Sequence, residues 1–121
     1  MINFNQEINF SEIEQICEIT ISLHELYHTF LQIRRLLREI GNLAHVPIEP
    51  IEQTQLIDQC LNIEGVLVGA VPGAGGYDAI YCICIGNESR KKLVDFYKSM
   101  SVEALECTIS DGSGLSFNCF E

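Results

Sequence analysis

Basic residues are scarce in this chain: 7 Lys and Arg stand against 17 Asp and Glu, leaving a formal charge of −10 over 121 residues. A surface of that sign repels both a nucleic-acid backbone and an anionic bilayer, so neither is expected as a partner. Long apolar runs are missing as well. No stretch approaches the roughly 18 residues that a membrane-spanning helix needs. The opening MINFNQEINF lacks the basic segment leading into an apolar one that marks a secretory signal. A cytoplasmic chain is therefore expected. Pairs spaced as CxxC are absent although six cysteines are present, at Cys17, Cys60, Cys82, Cys84, Cys107 and Cys119. They follow no framework spacing and sit inside apolar segments, so free buried thiols are expected, with neither disulfides nor a metal site.

What the chain does contain is an ordinary globular composition, with 47% hydrophobic and 20% charged residues. Its length fits one domain over 1–121, and no internal repeat or low-complexity segment interrupts it. From Ser11 onward, apolar residues fall at 13, 16, 19, 23, 26, 30, 33, 37 and 40, a step of three or four that predicts a helix. Ser11 with Glu14 fits a capping box at its start, the β-branched run at Thr20 to Ser22 offers a break, and Gly41-Asn42 offers a stop. Pro47 and Pro50 bracket an extended link, VPIEP, and a second helix is expected over Glu52 to Leu61.

The period then changes. GVLVGAV (Gly65 to Val71) and AIYCICI (Ala79 to Ile85) read as neighbouring buried strands, and ESRKKLVDFYKSM (Glu88 to Met100) as an amphipathic helix. Two more strands are expected near Val102 to Ile109 and Leu115 to Phe120, joined by a turn at Asp111 to Gly114. Helices gathered first and strands later indicate an α+β fold, helices on one face of a mostly antiparallel sheet.

Three patterns could carry chemistry. His24-Glu25-Leu26-Tyr27-His28 matches HExxH, in which two histidines one helical turn apart bind zinc and the glutamate acts as base. A catalytic zinc also needs a third protein ligand, and His45 follows without the spacing that would supply it, so a partly exposed helix face is the preferred reading. The second pattern is Gly73-Ala74-Gly75-Gly76 between the two central strands, which reads either as a tight turn or as a loop whose bare backbone N–H groups suit a phosphate or another anion. No Lys-Ser or Lys-Thr follows, which excludes a Walker A loop, and a strand rather than a helix comes next, which excludes a dinucleotide fingerprint. Asp78 beside it either caps the turn or meets a ligand. Third, Arg34 and Arg38 lie four apart on one helix face, where they either clamp a phosphate or belong to a solvated face with Glu39 among the ion-pair partners, while Arg35 points elsewhere.

The blocks IRRLLRE, VPIEP, QTQLID and GVLVGAVPGAGGYDAI, in that order between Ile33 and Ile80, resemble the C-terminal region of the phosphomevalonate kinases, members of the GHMP kinases. The resemblance implies a C-terminal GHMP domain, a ferredoxin-like layer of helices on a four-stranded sheet. It implies transfer of the γ-phosphoryl of ATP, with Mg²⁺, to 5-phosphomevalonate, giving 5-diphosphomevalonate in the mevalonate route to isoprenoids. By match, Gly73, Ala74, Gly75, Gly76 and Asp78 line the cleft, and Arg34 and Arg38 correspond to the family's helix arginines. The N-terminal domain of that family, with its PxxxGLGSSA motif and the Lys, Ser and acidic residues that hold Mg²⁺ and substrate, has no counterpart here. Since phosphoryl transfer works through positioning and charge neutralisation, half a cleft is expected to be inactive alone. The expectation is a fragment, a split subunit or a relic, active only with the N-terminal domain present in trans or in the full-length gene product. The alternative is a non-catalytic α+β module that binds a partner or self-associates.

Overall fold

The computed structural model describes residues 10–107. In chain order these form α1 (Phe10–Ala44), α2 (Ile51–Leu61), β1 (Val66–Ala70), β2 (Tyr81–Cys84) and α3 (Asn87–Ser99). The α+β class is as expected. The sheet is not: among the described residues it has two antiparallel strands, and Val102 to Cys107 form no strand. That segment is tied to α3 instead, by a 2.6 Å contact between Arg90 and Glu106 and by the Val102 amide on the Tyr97 carbonyl. The strand expected at Leu115 to Phe120 and its turn lie outside the described residues.

α1 runs without the break expected at Thr20 to Ser22. The Thr20 and Ser22 hydroxyls bond back to the carbonyls of Ile16 and Glu18 at 2.8 and 3.0 Å. These residues are thereby accommodated inside a helix that their competition for the backbone would otherwise weaken. Ser11 lies within the helix rather than at its cap. At the other end the helix passes Gly41 and stops at Ala44, where His45 takes a left-handed φ of 56° and the Val46 amide turns back to the Gly41 carbonyl at 2.9 Å. A Cβ on Gly41 would stand 2.7 Å from the Val46 carbonyl oxygen, so the residue read as a stop signal is needed for the returning chain to pass close by.

β1 is buried along nearly its whole length, as a continuous apolar run predicts, and α1 and α2 both pack against it, whereas β2, expected to be buried too, is only half-buried and leaves Tyr81 exposed. It pairs Val66 with Cys84 and Ala70 with Tyr81, with an irregularity between Val66 and Val68. The core gathers Ile57 and Cys60 of α2, Val66, Val68 and Ala70 of β1, and Leu93 of α3. Inside it, Tyr97 of α3 donates to the Cys82 sulfur at 3.2 Å and accepts from Cys60 at 3.9 Å. The Cys60 thiol's hydrogen bond, aided by Tyr97 and working against burial, lowers the Cys82 thiol to about 7. The same contact with Cys82, together with burial, pushes the Cys60 thiol up. All five described cysteines are free, but Cys17 and Cys107 are exposed rather than buried as expected.

Ile57 is fully buried where α2 meets β1, and its Cγ2 would stand 2.7 Å from a Cβ at Gly69. Truncation there leaves a void that close neighbours cannot fill. Ile57→Ala is expected to cost about 2–4 kcal/mol, read as a lowered urea midpoint with an unchanged slope.

Candidate functional site

Glu49, in the middle of the VPIEP link, has no exposed side-chain surface, and a carboxylate in that position must find partners. Arg34 provides the first. Its Nε lies 3.1 and 3.2 Å from the two Glu49 oxygens and its Nη2 lies 2.7 Å from Oε1, a forked contact from a guanidinium that is itself only 2% exposed. Arg38, one turn further along α1, donates to Oε1 at 2.8 Å, and the Thr54 hydroxyl donates to it at 2.9 Å. Arg34 also reaches Asp58 at 2.9 Å. Burial alone would raise the Glu49 carboxyl, yet the bonds from Arg34, Thr54 and Arg38 hold it below its ordinary value. Burial likewise disfavours the Arg34 charge, and the bonds to Glu49 and Asp58 outweigh it and raise that group.

The glycine loop, residues 71–80, joins β1 to β2 and docks on the residue beside Glu49. The Gly76 amide donates to the Ile48 carbonyl at 2.9 Å, and the Gly75 amide donates to Pro72 at 3.1 Å. At Gly75 a Cβ would overlap the Ile48 carbonyl oxygen, and φ is 79°, so only glycine fits. Gly73 and Gly76 face open space. The amides of Gly73 and Ala74 have no partner among the described residues. The exposed Asp78 makes no hydrogen bond among them either, so its carboxylate does not close the turn.

Beside the loop lies a cleft of about 490 Å³ lined by Arg38, His45, Ile48, Glu52, Thr54 and Tyr77 among others. Arg38 and Tyr77, from segments 39 residues apart by their numbers, are thus brought to one cavity. Arg34 is committed to Glu49 and stands behind its wall; Arg38, with 35% of its side chain exposed, faces both Glu49 and the opening. Gly73 to Gly76 and Asp78 adjoin this cleft through Tyr77 without lining it. Arg35 pairs with Glu39 at 3.7 Å on the outer face. Among the described residues no third His, Cys, Asp or Glu gathers with His24 and His28. Sequence reasoning missed Glu49, Thr54 and Asp58. The available signal was a lone acid between two prolines, downstream of arginines spaced one turn apart.

Comparison with known proteins bears on these segments. The chain is 49% identical over 83 residues to the peroxisomal phosphomevalonate kinase of Arabidopsis thaliana, which spans 69% of this chain and 16% of the plant protein. It is 44% identical over 73 residues to the phosphomevalonate kinase of Candida albicans, 60% of this chain and 17% of the fungal one. The Gibberella zeae kinase gives 45% over 65 residues, 54% and 15% respectively.

The chain matches part of a phosphomevalonate kinase.

It spans 15–17% of the length of these curated relatives. No family profile matches, and no solved structure does. The blocks that carry the resemblance to phosphomevalonate kinases come together in space: IRRLLRE brings Arg34 and Arg38, VPIEP brings Ile48 and Glu49, QTQLID brings Thr54 and Asp58, and the glycine segment closes on Ile48.

Two outcomes test this geometry. Glu49→Ala leaves Arg34 buried without its main partner and is expected to lower stability by about 3–5 kcal/mol. Because the folded Glu49 carboxyl is lowered, its contribution is present above the ordinary glutamate value of about 4.3 and is lost as pH falls below that through the folded value. Denaturant melts of Glu49→Gln should therefore show a flatter acid limb than wild type. In the loop, Gly73→Ala is expected to cost about 1 kcal/mol for its left-handed backbone. Gly75→Ala should cost more, since the Ile48 carbonyl must also shift; equal losses by thermal unfolding would contradict the docking.

Proposed function

We propose that this chain is the C-terminal part of a phosphomevalonate kinase, supplying one wall of the site where the γ-phosphoryl of ATP passes to 5-phosphomevalonate. The 44–49% identity to phosphomevalonate kinases over 54–69% of the chain carries this reading. In it, the amides of Gly73 and Ala74 fit a phosphate oxygen, Arg38 offers the cation at the neighbouring cleft, and Asp78 stands free for a hydroxyl or a second charge. Arg34 acts by positioning: it fixes Glu49, which holds Arg38. ATP would supply the transferred group. Among the described residues no group of acids gathers to hold Mg²⁺, so its ligands belong to the rest of the enzyme in this reading. Transfer works by positioning and charge neutralisation, and the chain alone is accordingly expected to be inactive. A cytoplasmic setting is part of the same proposal.

The exposed face of α1 supports a missing neighbour. Ile16, Ile19, Leu26, Ile33 and Ile40 follow one another at intervals of three and then seven, so they share one helix face, and all are exposed, Ile16, Ile19 and Ile40 by more than half. Such a stripe ordinarily faces a partner surface. The remainder of the kinase, in the same gene product or in trans, is the proposed cover.

Titration of the chain with 5-phosphomevalonate, and separately with Mg-ATP, tests the reading. Saturable binding of 5-phosphomevalonate is expected, weakened about tenfold or more in Arg38→Ala and lost in Gly75→Val. Absence of binding at millimolar ligand, both for this chain and for it joined to the rest of the kinase, would overturn the proposal. A dimer that buries α1 and binds neither ligand would place the non-catalytic module ahead.

A further inference from the structure

α1 carries a pair of side chains that neither the glycine loop nor the Glu49 cluster uses. His24 and His28 lie four residues apart on an exposed stretch of the helix, so their rings rise from one face. Their Nε2 atoms stand 3.2 Å apart and their ring centroids 4.3 Å apart. A tetrahedral zinc ion with bonds of about 2.0–2.1 Å holds two imidazole nitrogens about 3.3 Å from one another. The spacing a cation requires is therefore already set by the helix and the rotamers, with little left to rearrange.

Without a metal, a 3.2 Å contact between two neutral rings needs one Nε2–H donating to the other ring's Nε2 lone pair. On metal binding the donor ring shifts its proton from Nε2 to Nδ1, leaving both Nε2 lone pairs aimed at the ion, with no net proton released. We propose that His24 and His28 form a two-imidazole clip for a late first-row divalent cation, zinc or copper(II), with solvent filling the remaining positions. Among the described residues no third protein ligand gathers there, so the role is binding, not the three-ligand catalysis of a zinc hydrolase. The chain's formal charge of −10 favours a cation. Bridging one turn also cross-links α1 just beyond residues 10–22, all of them exposed.

The test is calorimetric titration of the full chain with zinc chloride in a non-coordinating buffer, under reducing conditions with a non-thiol reductant. One equivalent is expected to bind saturably. His24→Ala and His28→Ala should each weaken it about 100-fold, because the second ligand's intramolecular advantage is lost, while Cys17→Ser changes nothing. Electron spin resonance of the wild type with one equivalent of copper(II) should show coupling to two imidazole nitrogens, a readout independent of how well any variant folds. No saturable uptake, uptake unaltered in the histidine variants, or a thiolate charge-transfer band with cobalt(II) would overturn the clip. None of these results depends on whether the chain binds 5-phosphomevalonate.

Discussion

A buried carboxylate is the constraint from which the rest of this structure follows. Glu49 has no exposed side-chain surface, and its charge persists there only because Arg34, Arg38 and Thr54 converge on it. Those donors sit on two helices, so meeting the demand of one side chain fixes how α1, the link and α2 lie together. The link between Pro47 and Pro50 is not extended as expected: the Ile48 amide turns back to the Val46 carbonyl at 2.9 Å and the chain bends at Ile48 and Glu49, and the Ile48 carbonyl accepts from the arriving glycine loop. The loop then closes through a backbone hydrogen bond and a contact that only glycine permits. A change at Glu49 thus propagates to a loop with which its own side chain makes no bond.

The electrostatics favour geometry over net stability. Removing two charges from water offsets most of the attraction between them, and what remains is directional: a fork of nitrogens that accepts a carboxylate in one orientation. Arg38 differs from Arg34 in one respect that matters. It shares Glu49 while keeping part of its surface at the cleft, so the same carboxylate that buries one guanidinium leaves the other facing the opening. Two arginines one turn apart have separate tasks.

α1 presents the opposite situation, an apolar face that none of the other described elements covers. Its C-terminal portion packs on β1, but the three-four stripe continues toward the N-terminus on a helix that extends well past the sheet. A 35-residue helix is about 52 Å long, more than a two-stranded sheet can shield. The relatives are several times longer than this chain.

Local pattern determined the elements. The period of three and four determined α1, continuous apolar runs determined β1 and β2, and the amphipathic ESRKKLVDFYKSM determined α3, because each depends on residues within a few positions of one another. Segment resemblance determined the kinase family for the same reason, as a linear string. Tertiary structure alone decided which apolar face is covered, since the stripe that predicts α1 is largely exposed. It also decided that Val102 to Cys107 are not a strand, because apolar content does not create a partner strand to bond with. Above all it decided what Arg34 does. From the sequence it is a cation on a helix face; in the fold it is spent on an acid fifteen residues away, because burial leaves that acid no other means of keeping its charge.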